Sequence, residues 1–192
     1  MMWKIGISVL CLGLLAACAQ PARVQNMVAN RTAAVLPADS PLKEAICVAE
    51  VTGGEETNPL WTSEVDNAGF AGALTASLRN NSLLGPSDER CAYDLNANLL
   101  GLAQPIMGFD LTVTSNINYS VIERSNQIPY FQTTVQKPFT ADFSSSLLAI
   151  ERLRLANEGA IKDNIAEFIR RLLDHTPPPD PAPAAPAGKP TS

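Results

Sequence analysis

The chain has 192 residues, enough for one domain with appendages, and 46% of them are hydrophobic, enough for a real core. Charged residues make up 17%, below the globular norm of about 25%. The formal net charge is −5 with no basic cluster, which excludes nucleic acid as a partner, since that needs a basic footprint to release counterions.

Lys4 precedes an apolar run from Ile5 to Ala17. At 13 residues the run is too short to cross a ~30 Å hydrocarbon core comfortably, and it suits the apolar region of a secretory signal. It closes on Leu15-Ala16-Ala17-Cys18, which resembles the lipobox of bacterial lipoproteins. The resemblance implies removal of residues 1–17 and lipidation of Cys18, palmitate included. With Ala19 rather than Asp next, it implies sorting to the outer membrane of a Gram-negative cell, facing the periplasm. Loss of Lys4 leaves the mature chain at −6. Attachment would rest on lipid rather than on charge attraction. Residues 18–42 lack sustained periodicity and carry Pro21, Pro37 and Pro41, so they read as the lipidated terminus and a flexible tether spanning roughly 25–30 Å.

Cys11 leaves with the signal, so the exported domain keeps Cys47 and Cys91. An oxidising compartment lets a disulfide persist, worth about 4 kcal/mol by loop closure. Two buried free thiols are the alternative, because spacing alone fixes no geometry.

One folded domain is expected over 43–175. Glu44 to Val51 is short, apolar and β-branched and ends at Gly53-Gly54, predicting a buried strand. The loop GGEETNP follows. Ser63, with Asp66 three residues on, forms a capping-box pattern opening a helix. Val65, Phe70, Ala73, Leu74 and Leu78 supply its apolar stripe, and Asn80-Asn81 stops it. Cys91 to Leu102 alternates apolar and polar, as does Phe109 to Glu123. Tyr130 to Phe143 completes an antiparallel meander, with Pro138 marking an edge or bulge. Leu147 to Asp174 is helical by period, from Leu153 through Ile161, Ile165 and Phe168 to Leu172. Its other face carries Glu151, Arg154, Glu158, Lys162, Glu167 and Arg171, with Glu158–Lys162 and Glu167–Arg171 at the favourable i, i+4 spacing. Asn157 and Gly159 predict a bend. Residues 176–192 hold seven of the 15 prolines and read as a disordered tail.

The order β-α-β-β-β-α predicts a two-layer α+β sandwich. A mostly antiparallel four-stranded sheet carries both helices on one face. Asn96, Asn98, Thr112, Thr114, Asn116 and Asn118 line the open face.

No catalytic residue, metal site or cofactor is expected. The single histidine, His175, sits beside the tail and complements a helix C-terminus rather than a nucleophile. Glu55-Glu56 lacks the spacing of a calcium loop and reads as a solvated turn. Gly53-Gly54 lacks a phosphate-loop pattern. Trp61 either packs over the helix start or stands exposed as a partner anchor. Tyr130 and Phe131 are candidate partner contacts, in a stretch able to pair with another strand if it lies on an exposed edge.

The lipobox, the tether and this element order resemble small outer-membrane lipoprotein families. These are the ABC-transport auxiliary lipoproteins, the lipopolysaccharide-assembly type and the activators of penicillin-binding proteins. TGGEETNPLWTSEVDNAGF and ERLRLANEGAIKDNI are also similar to an uncharacterised proteobacterial lipoprotein group. The resemblance covers residues 44–174 in element order and carries over no functional residue. It implies a non-enzymatic accessory module for envelope assembly or transport, partnered by the membrane and an envelope protein. A small-ligand or lipid-binding lipoprotein, using a groove between helices and sheet, is the alternative.

Overall fold

The computed structural model describes residues 19–32, 36–37, 39–58, 62–105 and 108–175. The signal segment, Cys18, Trp61 and the 176–192 tail lie outside them. The elements are α1 (Val24–Met27), β1 (Ile46–Thr52), α2 (Asn67–Asn80), β2 (Tyr93–Ala103), β3 (Leu111–Glu123), β4 (Pro129–Ala141) and α3 (Ala149–Asp174). The sheet order is β1-β2-β3-β4, parallel between β1 and β2 and antiparallel elsewhere. The result is the expected two-layer α+β sandwich.

Alternation in the sequence becomes alternation in burial. Leu95, Ala97 and Leu99 of β2 and Val113, Ile117, Tyr119 and Val121 of β3 are buried under the helices, while Asn98, Thr112 and Asn118 face solvent. The solvent face closes on itself: the Asn118 amide donates to Thr134 at 3.0 Å, and Thr112 and Thr140 share a 2.8 Å hydrogen bond. Pro138 sits on β4, an edge strand, where its missing N–H costs no ladder bond. Tyr130 is the extra residue of a β-bulge: Phe131 pairs with Val121 and Pro129 with Ile122. A bulge sets two residues against one. Tyr130 and Phe131, neighbours in sequence, therefore both pack on the core.

One local expectation is corrected. Asp66, not Ser63, caps α2, accepting from the Gly69 N–H at 2.6 Å; the buried Ser63 hydroxyl donates to the Gln20 carbonyl instead. The long helix runs unbroken from Ala149 to Asp174. Gly159 is there for closeness, because a Cβ would collide with the Phe139 ring on β4. Asn157 aims its amide at the Ser63 carbonyl, 2.6 Å away.

The larger correction concerns the tether. Residues 19–32 are laid down on the two helices, with Met27 and Ala29 fully buried. The Arg23 N–H and the Asn26 amide donate to Glu158 at 2.8 and 2.7 Å. The Ala29 N–H donates to Ser77 and the Thr32 N–H to Asn81. Glu158 and Arg154, on the helix face opposite the apolar stripe, are thereby buried at 2% and 3% exposure. Glu158 lies 3.6 Å from Arg154 and makes no ion pair with Lys162 among the described residues.

At the other end of α3, Glu167 accepts from Arg170 and Arg171 at 2.8 Å each, with Lys137 at 3.6 Å. Hydrogen bonds from Arg170 and then Arg171 hold its carboxyl at about 2, below the usual carboxylate range. A depressed folded value means the stabilisation is complete above the unfolded value near 4.5 and fades as pH falls towards 2. Melting curves of wild type and Glu167→Gln should therefore differ at neutral pH, draw together as pH falls below about 4.5 and converge near pH 2. A gap that is constant with pH would contradict this.

Candidate functional site

The end where the chain enters the domain is built from four elements. Gln20, Ser63, Gln104 and Asn157 meet there. Ser63 donates to the Gln20 carbonyl at 2.8 Å, and Gln104 donates to the Ser63 carbonyl at 3.1 Å. Thr62 donates to Gln104 at 2.8 Å. Glu64 accepts from Thr62 and from Gln104, both at 3.2 Å, and burial nevertheless raises its carboxyl above the usual range. Ala19, the first described residue, is already buried. Cys18, the residue before it in sequence, lies outside the described residues.

The opposite end holds the other candidates from the sequence. Cys47 and Cys91 form a disulfide that ties the start of β1 to the approach to β2. Tyr130 lies 5.1 Å from the Tyr93 ring, Phe131 lies 6.4 Å from Phe168, and the His175 imidazole packs on both at 5.4 and 5.1 Å. These two aromatics are half-buried cladding of the core rather than free anchors. His175 ends α3, its N–H donating to the Leu172 carbonyl.

The space between helices and sheet is filled. Tyr119 stacks on Phe168 at 4.1 Å, and its hydroxyl donates to Asn164 at 3.0 Å. Asn164 donates in turn to Ser115 and to the Val135 carbonyl. Burial pushes the Tyr119 phenol well up. Two open depressions lie instead along the outer side of α3. One, of about 660 Å³, lies between α1 and β4 and is lined by Asn26, Phe139, Glu158, Lys162 and Asp163. The next, of about 580 Å³, shares Asp163 and adds Lys137, Glu167 and Arg170. Both are mixed in polarity and suit a polypeptide edge better than an acyl chain.

Among the described residues no group of His, Cys, Asp or Glu is placed to hold a metal ion. Among them, too, no helix is long and apolar enough to cross a membrane.

The fold is that of a bacterial protein from Xanthomonas campestris. Protein XCC0632 of that organism, described as family DUF330, aligns with a TM-score of 0.54 at 11% identity over 81% of this chain and 94% of that one. A putative lipoprotein from Caulobacter crescentus aligns at a TM-score of 0.41 and 12% identity, over 54% and 80% of the two chains. Lipoprotein GNA1162 from Neisseria meningitidis aligns at 0.33 and 8%, over 68% and 98%. No family profile matches the sequence, and no curated protein does.

The sequence missed the role of residues 19–32 and of the buried asparagines. A signal for the latter existed: Asn157 and Asn164 are seven residues apart on the apolar stripe of a helix, where a polar side chain must find partners.

Proposed function

We propose that this chain is a lipid-anchored, non-enzymatic accessory module of cell-envelope assembly or transport, held at the outer membrane by Cys18 and facing the periplasm. The supporting observation is the docking of Ala19 and Gln20 into the domain. A lipid carried on the preceding residue would hold the body in one orientation instead of letting it roam on a leash. An enzyme acting on a diffusing substrate gains nothing from fixed orientation, whereas a subunit that must meet a membrane machine does. The outward-facing β4 edge and the depressions beside it offer that partner both backbone and side-chain contacts.

The test is fractionation with co-purification. Cys18→Ser is expected to move the protein from membranes to the soluble periplasm. The wild type, drawn from detergent-solubilised envelopes, is expected to bring a membrane complex in stoichiometric amount. Retention of Cys18→Ser in membranes would sink the anchor. A lone monomer carrying a lipid in native mass spectra would replace the accessory reading with the ligand-binding one.

A further inference from the structure

We propose that the end of the domain bearing Phe109, Phe143, Leu147 and Leu148 is a membrane-contact face that sits in the interfacial layer of the bilayer. The inference rests on the lipoprotein reading of Cys18 and extends it from a point of attachment to a surface.

Six large apolar side chains are exposed among the described residues, and four lie at this one end: Phe109 at 80%, Leu147 at 85%, Leu148 at 46% and Phe143 at 44%. They come from two separate connections, β2 to β3 and β4 to α3, so no single stray loop accounts for them. They are also held in place. Phe109 and Phe143 meet edge to face at 5.7 Å. The Phe143 N–H donates to Asp110 at 2.8 Å. The buried Arg152 guanidinium lies 5.0 Å over the Phe143 ring and donates to the Ser146 carbonyl at 2.7 Å. A rigid exposed apolar patch marks a contact surface.

What covers it follows from where the chain leads. Gln20 reaches Arg154 at 3.4 Å. Arg154 is six residues beyond Leu148, or ~9 Å along the helix axis. Cys18 precedes Gln20 by two residues, which adds at most ~7 Å. A lipid carried on Cys18 would thus be within reach of the patch end of a helix ~40 Å long. From there the chain runs away from the patch, past Ser77 to Asn81 at the far end of α2. The β3–β4 turn and His175 mark that far end. Acyl chains and patch therefore share one end of the molecule, and the end of α3 from which the tail departs lies at the other.

The chemistry fits an uncharged interface. The acids Asp110, Asp142 and Glu151 flank the patch, and the cation Arg152 is buried against Phe143. Binding would come from apolar burial, not from attraction to anionic headgroups.

Leu147→Cys tests this, because it supplies the only free thiol once Cys47 and Cys91 are bonded and Cys18 is acylated. The acylated protein, labelled there with an environment-sensitive fluorophore, is reconstituted in neutral phosphatidylcholine–phosphatidylethanolamine vesicles. A matched label at Asn126→Cys, in the far turn, is the control. The expected result is a blue-shifted emission and a several-fold loss of iodide quenching at 147 relative to 126, unchanged by salt. Equal quenching at both sites in protein that floats with the vesicles overturns the proposal. Shielding at 147 in native envelopes but not in vesicles means that a protein covers the face, and also overturns it. Protein that does not float marks a failure at Cys18. The face is then tested on the same labelled protein at vesicle excess, where an unshifted emission overturns it.

Discussion

Glu158→Ala is expected to destabilise the domain by about 3–5 kcal/mol, the cost of removing one partner from a buried ion pair. Two donors converge on this carboxylate, the Arg23 N–H and the Asn26 amide, and Arg154 lies 3.6 Å away as its ion-pair partner. Alanine would leave Arg154 buried with only the half-exposed Glu151 for a counter-charge, at 2.6 Å. It would also strip the 19–32 segment of two of its hydrogen bonds to α3, leaving the 3.4 Å bond from Arg154 to Gln20. Urea unfolding of the Cys18→Ser mature protein would read the loss. Limited trypsin digestion would locate it, since cleavage after Arg23 and Arg31 should outpace cleavage elsewhere. Glu158→Gln keeps an acceptor and should fall between wild type and alanine. A loss under about 1 kcal/mol for alanine, in the range of an exposed pair, would mean that the N-terminal segment does not shield this site in solution.

That prediction could not have been made from the sequence, and the reason is physical. Strands, helices and their order were legible because each obeys a period. The apolar residues of β2 and β3 recur every second position, and those of α3 follow the 3.6-residue turn. Residues 19–32 obey none. They hold on through single contacts, Met27 in a socket and four donors on Glu158, Ser77 and Asn81, which leave no pattern in the string. Low periodicity and three prolines looked like a tether, because local sequence does not report a partner 130 residues away. The misreading then spread to α3. A Glu and an Arg on a helix face read as solvated until something is found to cover them. Tyr130 and Phe131 show the same limit on a smaller scale. Strict alternation sends one of two neighbours outward, and only the bulge at Tyr130, invisible in the sequence, turns both onto the core.

Reduction of the Cys47–Cys91 bond is expected to lower stability by about 4 kcal/mol, on the chain-entropy estimate for a 44-residue separation. The closed loop runs from β1 through α2 to the approach to β2, the connection behind the one parallel pairing and so the slow, non-local part of this topology. β1 is an edge strand whose one neighbour in the sheet is β2, with Ile46 alone also bonded to Leu83 and Gly85, so it is the strand that the cross-link most protects. Gly85 packs so close to the Cys91 sulfur that a Cβ would collide with it, so the neighbourhood is shaped around the bond. With a urea slope near 2 kcal/mol/M, the midpoint should drop by about 2 M in reductant. Cys47→Ala/Cys91→Ala should match the reduced wild type and ignore reductant. Amide exchange should then quicken first along Ile46–Thr52, ahead of β3. If the oxidised and reduced wild types unfold together while thiol labelling confirms reduction, the bond adds nothing. The hydrophobic packing of Ile46, Leu83 and Leu95 would then hold β1 in place alone.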